Sequence, residues 1–152
     1  MNEPPRSPRQ RKRDVLNRLE QDIDAWVSTA EPAGGAPYLI PLSFLWSEST
    51  LLLATSLTSP TGRNLRATGK AQIGIGDTRD VVLIQGTLQE VIATVDIPAE
   101  LGDTYAAKTG WDPRQSPGYA YFRIQPDRLQ AWREVDEIAG RDLIQAGRWL
   151  VE

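Results

Sequence analysis

The chain has no cysteine and no histidine. Without histidine, Ser-His-Asp and Cys-His catalysis, histidine zinc sites and a haem held by a proximal imidazole are all excluded. Without cysteine there are no disulfides and no thiolate metal sites. No stretch approaches the roughly 20 consecutive apolar residues that a membrane-spanning helix needs, so no membrane association is expected. The basic start, Arg6, Arg9, Arg11, Lys12 and Arg13, is mixed with Pro4, Pro5 and Pro8 and runs into no apolar segment of the secretory kind. A cytoplasmic location is therefore expected. Positive charge is not in surplus either: the net charge is -3 and the pI about 5.1, which gives no global attraction to nucleic acid. Chemistry must come from carboxylates, lysine, tyrosine or a bound cofactor.

What is present is enough for one folded unit. At 152 residues, 40% hydrophobic and 24% charged, the composition predicts a single globular domain over residues 9–152. Residues 1–8, rich in proline and arginine, read as a disordered leader. Val15, Leu16, Leu19 and Ile23 recur at helical spacing and predict an amphipathic helix over Arg9–Asp22. Strands are expected over Asp24–Thr29, Pro37–Trp46 and Leu51–Ser56, separated by the turn-rich Glu31–Gly35 and Ser47–Thr50. A short helix from Ser59 to about Thr68-Gly69 precedes a weaker strand over Lys70–Gly76 and a long one over Asp80–Thr94. Gly86 interrupts the inward row of that long strand and predicts a bulge or bend. Pro98–Thr109 reads as a helix, Tyr119–Ile124 as a strand broken at Pro126-Asp127 and resumed over Leu129–Arg133, and the tail as a short helix or hairpin. The pattern is mainly β: a six-stranded antiparallel barrel with inserted and flanking helices.

The most informative segment is Leu51–Arg66, in which a strand runs into a helix start. Ser59 is a preferred N-cap and Pro60 suits the first helical position, with Thr61, Arg63 and Asn64 close behind. Unpaired backbone N–H groups, hydroxyls and a guanidinium gathered there can hold a phosphate by charge-assisted hydrogen bonds. Glu134, Asp136 and Glu137 are a cluster of spaced carboxylates, expected to form a solvated face rather than a metal site. Tyr105 and Trp111 are candidates for lining a substrate cavity, with simple packing as the alternative.

Ala25–Ala30, Pro37–Trp46, Thr50–Thr55, Ser59–Leu65, Val81–Thr87 and Tyr121–Pro126 occur in the order and spacing of one known group. Across residues 14–133 the chain resembles the pyridoxamine 5′-phosphate oxidase-like, flavin-binding split-barrel superfamily. The resemblance implies a homodimer of six-stranded split barrels with a cofactor site at the interface. The cofactor it implies is FMN, or in a related branch a deazaflavin coenzyme of the F-420 type. Ile40, Pro41, Leu42 and Ser43 would lie along the ring, Ala54, Thr55 and Ser56 would border the ring and ribityl chain, and Ser59, Thr61, Arg63 and Asn64 would hold the phosphate. Trp132 matches an aromatic that relatives often place near the flavin. The implied activity is hydride transfer at the flavin to or from a small organic substrate, with no metal; the alternative is a non-catalytic protein that sequesters the cofactor. Relatives often carry a basic residue just before the Arg-Asn-Leu, where this chain has Gly62, and the vitamin-processing members use a histidine that this chain lacks. Pyridoxamine phosphate oxidation is therefore not expected.

Overall fold

The computed structural model describes residues 3–152. Helix α1 (Pro8–Gln21) starts one residue earlier than its apolar stripe suggests, because the Ser7 hydroxyl accepts the Gln10 N–H at 3.2 Å and Pro8 takes the first helical position. Of the leader, Met1 and Asn2 lie outside the described residues. Arg6 is engaged: its backbone N–H and Nε reach Glu137 Oε2 at 2.9 and 3.0 Å, and its Nη2 reaches Glu137 Oε1 at 2.7 Å. The contact is one of charge, which a count of apolar residues does not register.

Strands β1 (Asp24–Thr29), β2 (Tyr38–Ser47) and β3 (Thr50–Ser56) form a meander, and the β2–β3 turn is closed by Glu48 and Ser49, both at positive φ as a two-residue hairpin turn requires. Helix α2 (Pro60–Thr68) follows, then β4 (Lys70–Ile75), β5 (Val81–Ala93), helix α3 (Ala99–Thr109) and β6 (Tyr119–Trp132). The sheet order β3-β2-β1-β4-β5-β6 closes through pairing of β3 with β6, giving a six-stranded antiparallel barrel. Its interior takes alternate residues of each strand, among them Val27, Leu53, Ile73, Ile84, Phe122 and Leu129, and α1 covers one opening with Val15 and Leu19. A second, smaller core of Leu45, Leu52, Ala54, Ile97, Tyr105 and Tyr121 lies outside the barrel wall beneath α3.

Gly86 marks a register shift between β5 and β6, and a Cβ there would sit 2.3 Å from Ile124 Cγ2. The bulge also changes the expectation for Pro126-Asp127, which do not end the strand. Pro126 pairs with Gly86 while Asp127 is skipped, and β6 runs unbroken to Trp132. On its other edge β6 is paired with β3 up to Ile124 and with the tail strand Asp142–Gln145 from Leu129, so the proline falls where that edge has no strand partner. The tail is the hairpin β7 (Asp142–Gln145) and β8 (Arg148–Trp149), turning on Ala146 and Gly147. No helix among the described residues is long and apolar enough to cross a membrane.

Candidate functional site

The barrel wall divides along β2. Residues 38–43 pair with β1, whereas residues 44–47 pair with β3, and β3 beyond Leu53 keeps only β6 as a neighbour. Two strand edges therefore diverge, one at Tyr38–Ser43 and one at Ala54–Ser56. The Phe44 N–H donates to Ile23 O at 2.8 Å, so the even-numbered residues of this stretch turn their backbone groups toward β1. Leu39, Pro41 and Ser43 turn theirs outward. Pro41, with no N–H, occupies one of these edge positions and removes no ladder hydrogen bond. The Tyr105 hydroxyl donates to Ser43 O at 3.2 Å and fixes one end of the edge. The Leu39 N–H and C=O, the Pro41 C=O and the Ser43 N–H remain as a row of donors and acceptors.

Beside this edge, the Ser56–Ser59 loop leads into α2. Ser59 Oγ accepts the Gly62 N–H at 3.0 Å, donates to Ser56 O at 2.8 Å and lies 3.3 Å from Thr55 Oγ1. Ser56 Oγ accepts the Thr58 N–H at 3.2 Å and sits 3.1 Å from Thr58 Oγ1. The hydroxyls are thus engaged within the turn and rigidify it. Thr61 is fully buried and its Oγ1 has no hydrogen-bond partner, the one buried side-chain polar atom of this turn left without one among the described residues. Asn64 faces inward, its Nδ2 donating to Thr29 Oγ1 at 3.2 Å, and ties α2 to the barrel. Arg63 is exposed and donates to Thr58 O, while Arg66 donates to Leu57 O, so the two guanidiniums grip successive carbonyls of one loop. Arg66, outside the motif that carried the resemblance, belongs to the same turn.

At Gly62 this chain has no room for the basic side chain that relatives often carry there. A Cβ at this position would stand 2.2 Å from Ser56 O, because α2 packs its first turn directly on the end of β3. No residue with a side chain fits there without moving the helix.

The remaining candidates divide. Ile40 and Leu42 are half-buried, Leu42 packing on the barrel core, and Ala54 is buried in the second core, so each contributes position more than a reactive group. Trp132 pairs with Val81 at the end of β6 away from the Tyr119–Ser56 pair, and borders a separate open cavity of about 410 Å³ with Thr78, Arg79 and Arg133. A single chain does not bring it to the Ser59 turn. Tyr105 and Trp111 pack: Tyr105 meets Tyr121 edge-on with centroids 5.4 Å apart, and Trp111 meets Tyr119 in the same way at 5.4 Å. Burial raises the Tyr105 hydroxyl above its ordinary pKa and keeps it a donor to Ser43. Its role in holding the strand edge left no signal in the sequence. Glu137 departs from the expected solvated face, being 2% exposed and bonded to Arg6 and to the Arg133 N–H.

The fold is a closed six-stranded antiparallel barrel whose wall opens at the β2 edge beside a capped helix start and an exposed guanidinium. The family model described as pyridoxamine 5′-phosphate oxidase matches residues 13–133, and the chain belongs to that family. No curated protein sequence matches the chain. Among solved structures it is similar to an F-420 reductase, at 15% identity and a TM-score of 0.60, over 74% of this chain and 93% of that one. It is similar to General Stress Protein 26 of Bacillus anthracis, at 16% identity and a TM-score of 0.64, over 80% and 92% of the two chains. It is also similar to an FAD-binding protein of Mesorhizobium loti, at 19% identity and a TM-score of 0.56, over 78% and 89%. At these identities the likenesses establish the fold.

Proposed function

We propose that the chain binds a flavin or a deazaflavin along the β2 edge, with the cofactor's phosphate at the α2 start, and uses it as an oxidoreductase on a small organic substrate. The observation that carries this reading is the run Leu39–Ser43, whose outward backbone groups lack a strand partner beside a guanidinium-flanked helix start. The residues fit such a group. The edge offers the alternating donors and acceptors that the rim of an isoalloxazine can meet, Arg63 is exposed, and Thr61 Oγ1 is a buried hydroxyl without a partner. Bound there, the ring supplies the hydride chemistry that a chain without histidine or cysteine lacks. The protein's own part is to hold the edge straight through Tyr105, to fix the turn through Ser59, and to offer cationic donors through Arg63.

We read the active form as a homodimer. Trp26 and Leu39 are 55% and 58% exposed on neighbouring strands of one outer face, and Pro41, opposite Trp26, continues that apolar surface along the open edge. A second copy laid on that face would shield the edge from water and complete the groove. The test is direct: record the visible spectrum of the purified protein, identify any released ligand by mass, and titrate it with FMN and with the deazaflavin. Light scattering should give twice the 16.9 kDa chain mass. A colourless monomer that takes up neither cofactor overturns the reading, and a bound cofactor that no physiological reductant reduces points to sequestration.

A further inference from the structure

A cavity of about 390 Å³ opens at the C-terminal end of β5, where the chain turns toward α3, and its size falls in the range of small-molecule sites, roughly 300–1,000 Å³. None of its lining residues belongs to the β2 edge or the α2 turn. Ile92, Pro98 and Leu101 form an apolar wall, and because Ile92 and Leu101 pack on the second core, that wall is the rim of the core. Three charged residues complete the lining: Arg123, Glu90 and Asp96.

Arg123 is only 8% exposed and is held in place from two sides. Opposite Glu90 in the β5–β6 ladder, it donates from Nε to Glu90 Oε1 at 2.9 Å and from Nη1 to Thr50 Oγ1 at 2.9 Å, and Thr50 Oγ1 donates in turn to Ser47 O at 2.7 Å. The guanidinium plane is thereby fixed. Its Nη2 makes no hydrogen bond among the described residues, and the donors it carries remain for a second oxyanion. Glu90 is half-exposed and Asp96 exposed, so both carboxylates stay within reach of water and of a ligand. The three kinds of wall together are selective. An anion alone would meet two carboxylates, an amine alone would leave Nη2 unpaired, and a wholly apolar molecule would desolvate all three charges. A zwitterion with an apolar branch answers every group: its carboxylate to Arg123, its ammonium to Glu90 and Asp96, its branch to Ile92, Pro98 and Leu101.

We propose that this cavity is a binding site for an aliphatic α-amino acid, separate from the cofactor groove. The full chain is titrated by calorimetry with L-leucine, glycine, N-acetyl-L-leucine and L-leucinamide, the last three lacking in turn the branch, the ammonium and the carboxylate. Leucine should bind saturably, and each of the others at least about tenfold more weakly, the scale of one buried branch or one charged hydrogen bond. Two variants place the site. Arg123→Lys keeps a cation for Glu90 but removes the Nη2 donors, and should weaken leucine about tenfold. Asp96→Asn lies on an exposed turn, should keep the parent's melting temperature, and should weaken leucine about threefold, as a solvent-reaching ion pair does. Absence of saturable binding by the parent to leucine, isoleucine, valine and methionine overturns the proposal. So does N-acetyl-leucine or leucinamide binding as tightly as leucine, and so does leucine affinity unchanged in Asp96→Asn.

Discussion

Arg6 and Arg63 are both held by oxygen atoms, but the oxygens differ in kind and in exposure. Arg6 is buried against the Glu137 carboxylate with Asp14 beside it, and Glu137 is itself closed off from solvent. Arg63 is exposed and reaches only the neutral Thr58 carbonyl. The first arrangement is complete within the chain: donors and acceptors match, and it fastens residues 131 apart in sequence. Among the described residues the second leaves a cation with no counter-charge in hydrogen-bonding reach, next to strand groups that also lack partners. Completed charge serves the fold, and uncompensated charge beside an open edge is available to an anionic ligand.

The largest effect should come from breaking the completed pair. Glu137→Ala takes the carboxylate away from three N–H groups of the buried Arg6, leaving Asp14 as its hydrogen-bonded partner, and should cost about 3 kcal/mol of stability in urea unfolding; removing residues 1–7 should cost a similar amount. The pH dependence follows from the same contact. Hydrogen bonds from Arg6 hold the Glu137 carboxyl at about 2, below its ordinary 4.5. A depressed carboxyl stabilises the fold above the ordinary value, and the contribution is lost as pH falls from 4.5 toward 2. Glu137→Gln should flatten the stability profile in that window, and an unchanged profile would show that Glu137 is not the group responsible.

Next comes the helix start. Gly62→Ala drives a Cβ into Ser56 O and should cost about 2 kcal/mol of stability, with Gly62→Lys no better despite its charge. If Gly62→Lys instead tightened cofactor binding without lowering the melting temperature, the packing account of this glycine would be wrong.

Arg63→Ala should leave the melting temperature alone and weaken cofactor affinity by about 1.5 kcal/mol, as measured by titration. Arg66→Ala, which removes the grip on Leu57 O, should have a smaller effect in the same direction through loosening of the loop. Equal affinity for the parent and Arg63→Ala would move the phosphate elsewhere.

Much of this was legible locally. The Ser59-Pro60 start, the Gly69 stop and the Gly86 bulge each follow from residues adjacent in sequence, and each is where the chain places it. The motif Ser59–Asn64 also located the helix start that borders the open edge. What local pattern could not show was direction. Asn64 carries the right chemistry for a phosphate but turns to Thr29, and Trp132 ends a strand on the far side of its own chain from the Ser59 turn. Nor could it show the Arg6–Glu137 contact. Pairing across most of the chain depends on closure of the barrel, and the charges involved resemble those of any solvated surface.

The smallest effect sharpens the comparison most. Arg79 and Glu134 form an ion pair at 3.0 Å close to the Arg6–Glu137 pair, with the Arg79 side chain 80% exposed. Water solvates both members nearly as well apart as together, and fixing two mobile side chains offsets most of the remaining attraction. Arg79→Ala should therefore leave the melting temperature unchanged within error at moderate salt, while Arg6→Ala, close by and of the same residue type, lowers it by many degrees. A comparable loss from both variants would mean that this end of the barrel is held by its summed charge rather than by the single buried contact, and that burial is not what separates the arginines that build the fold from those that do not.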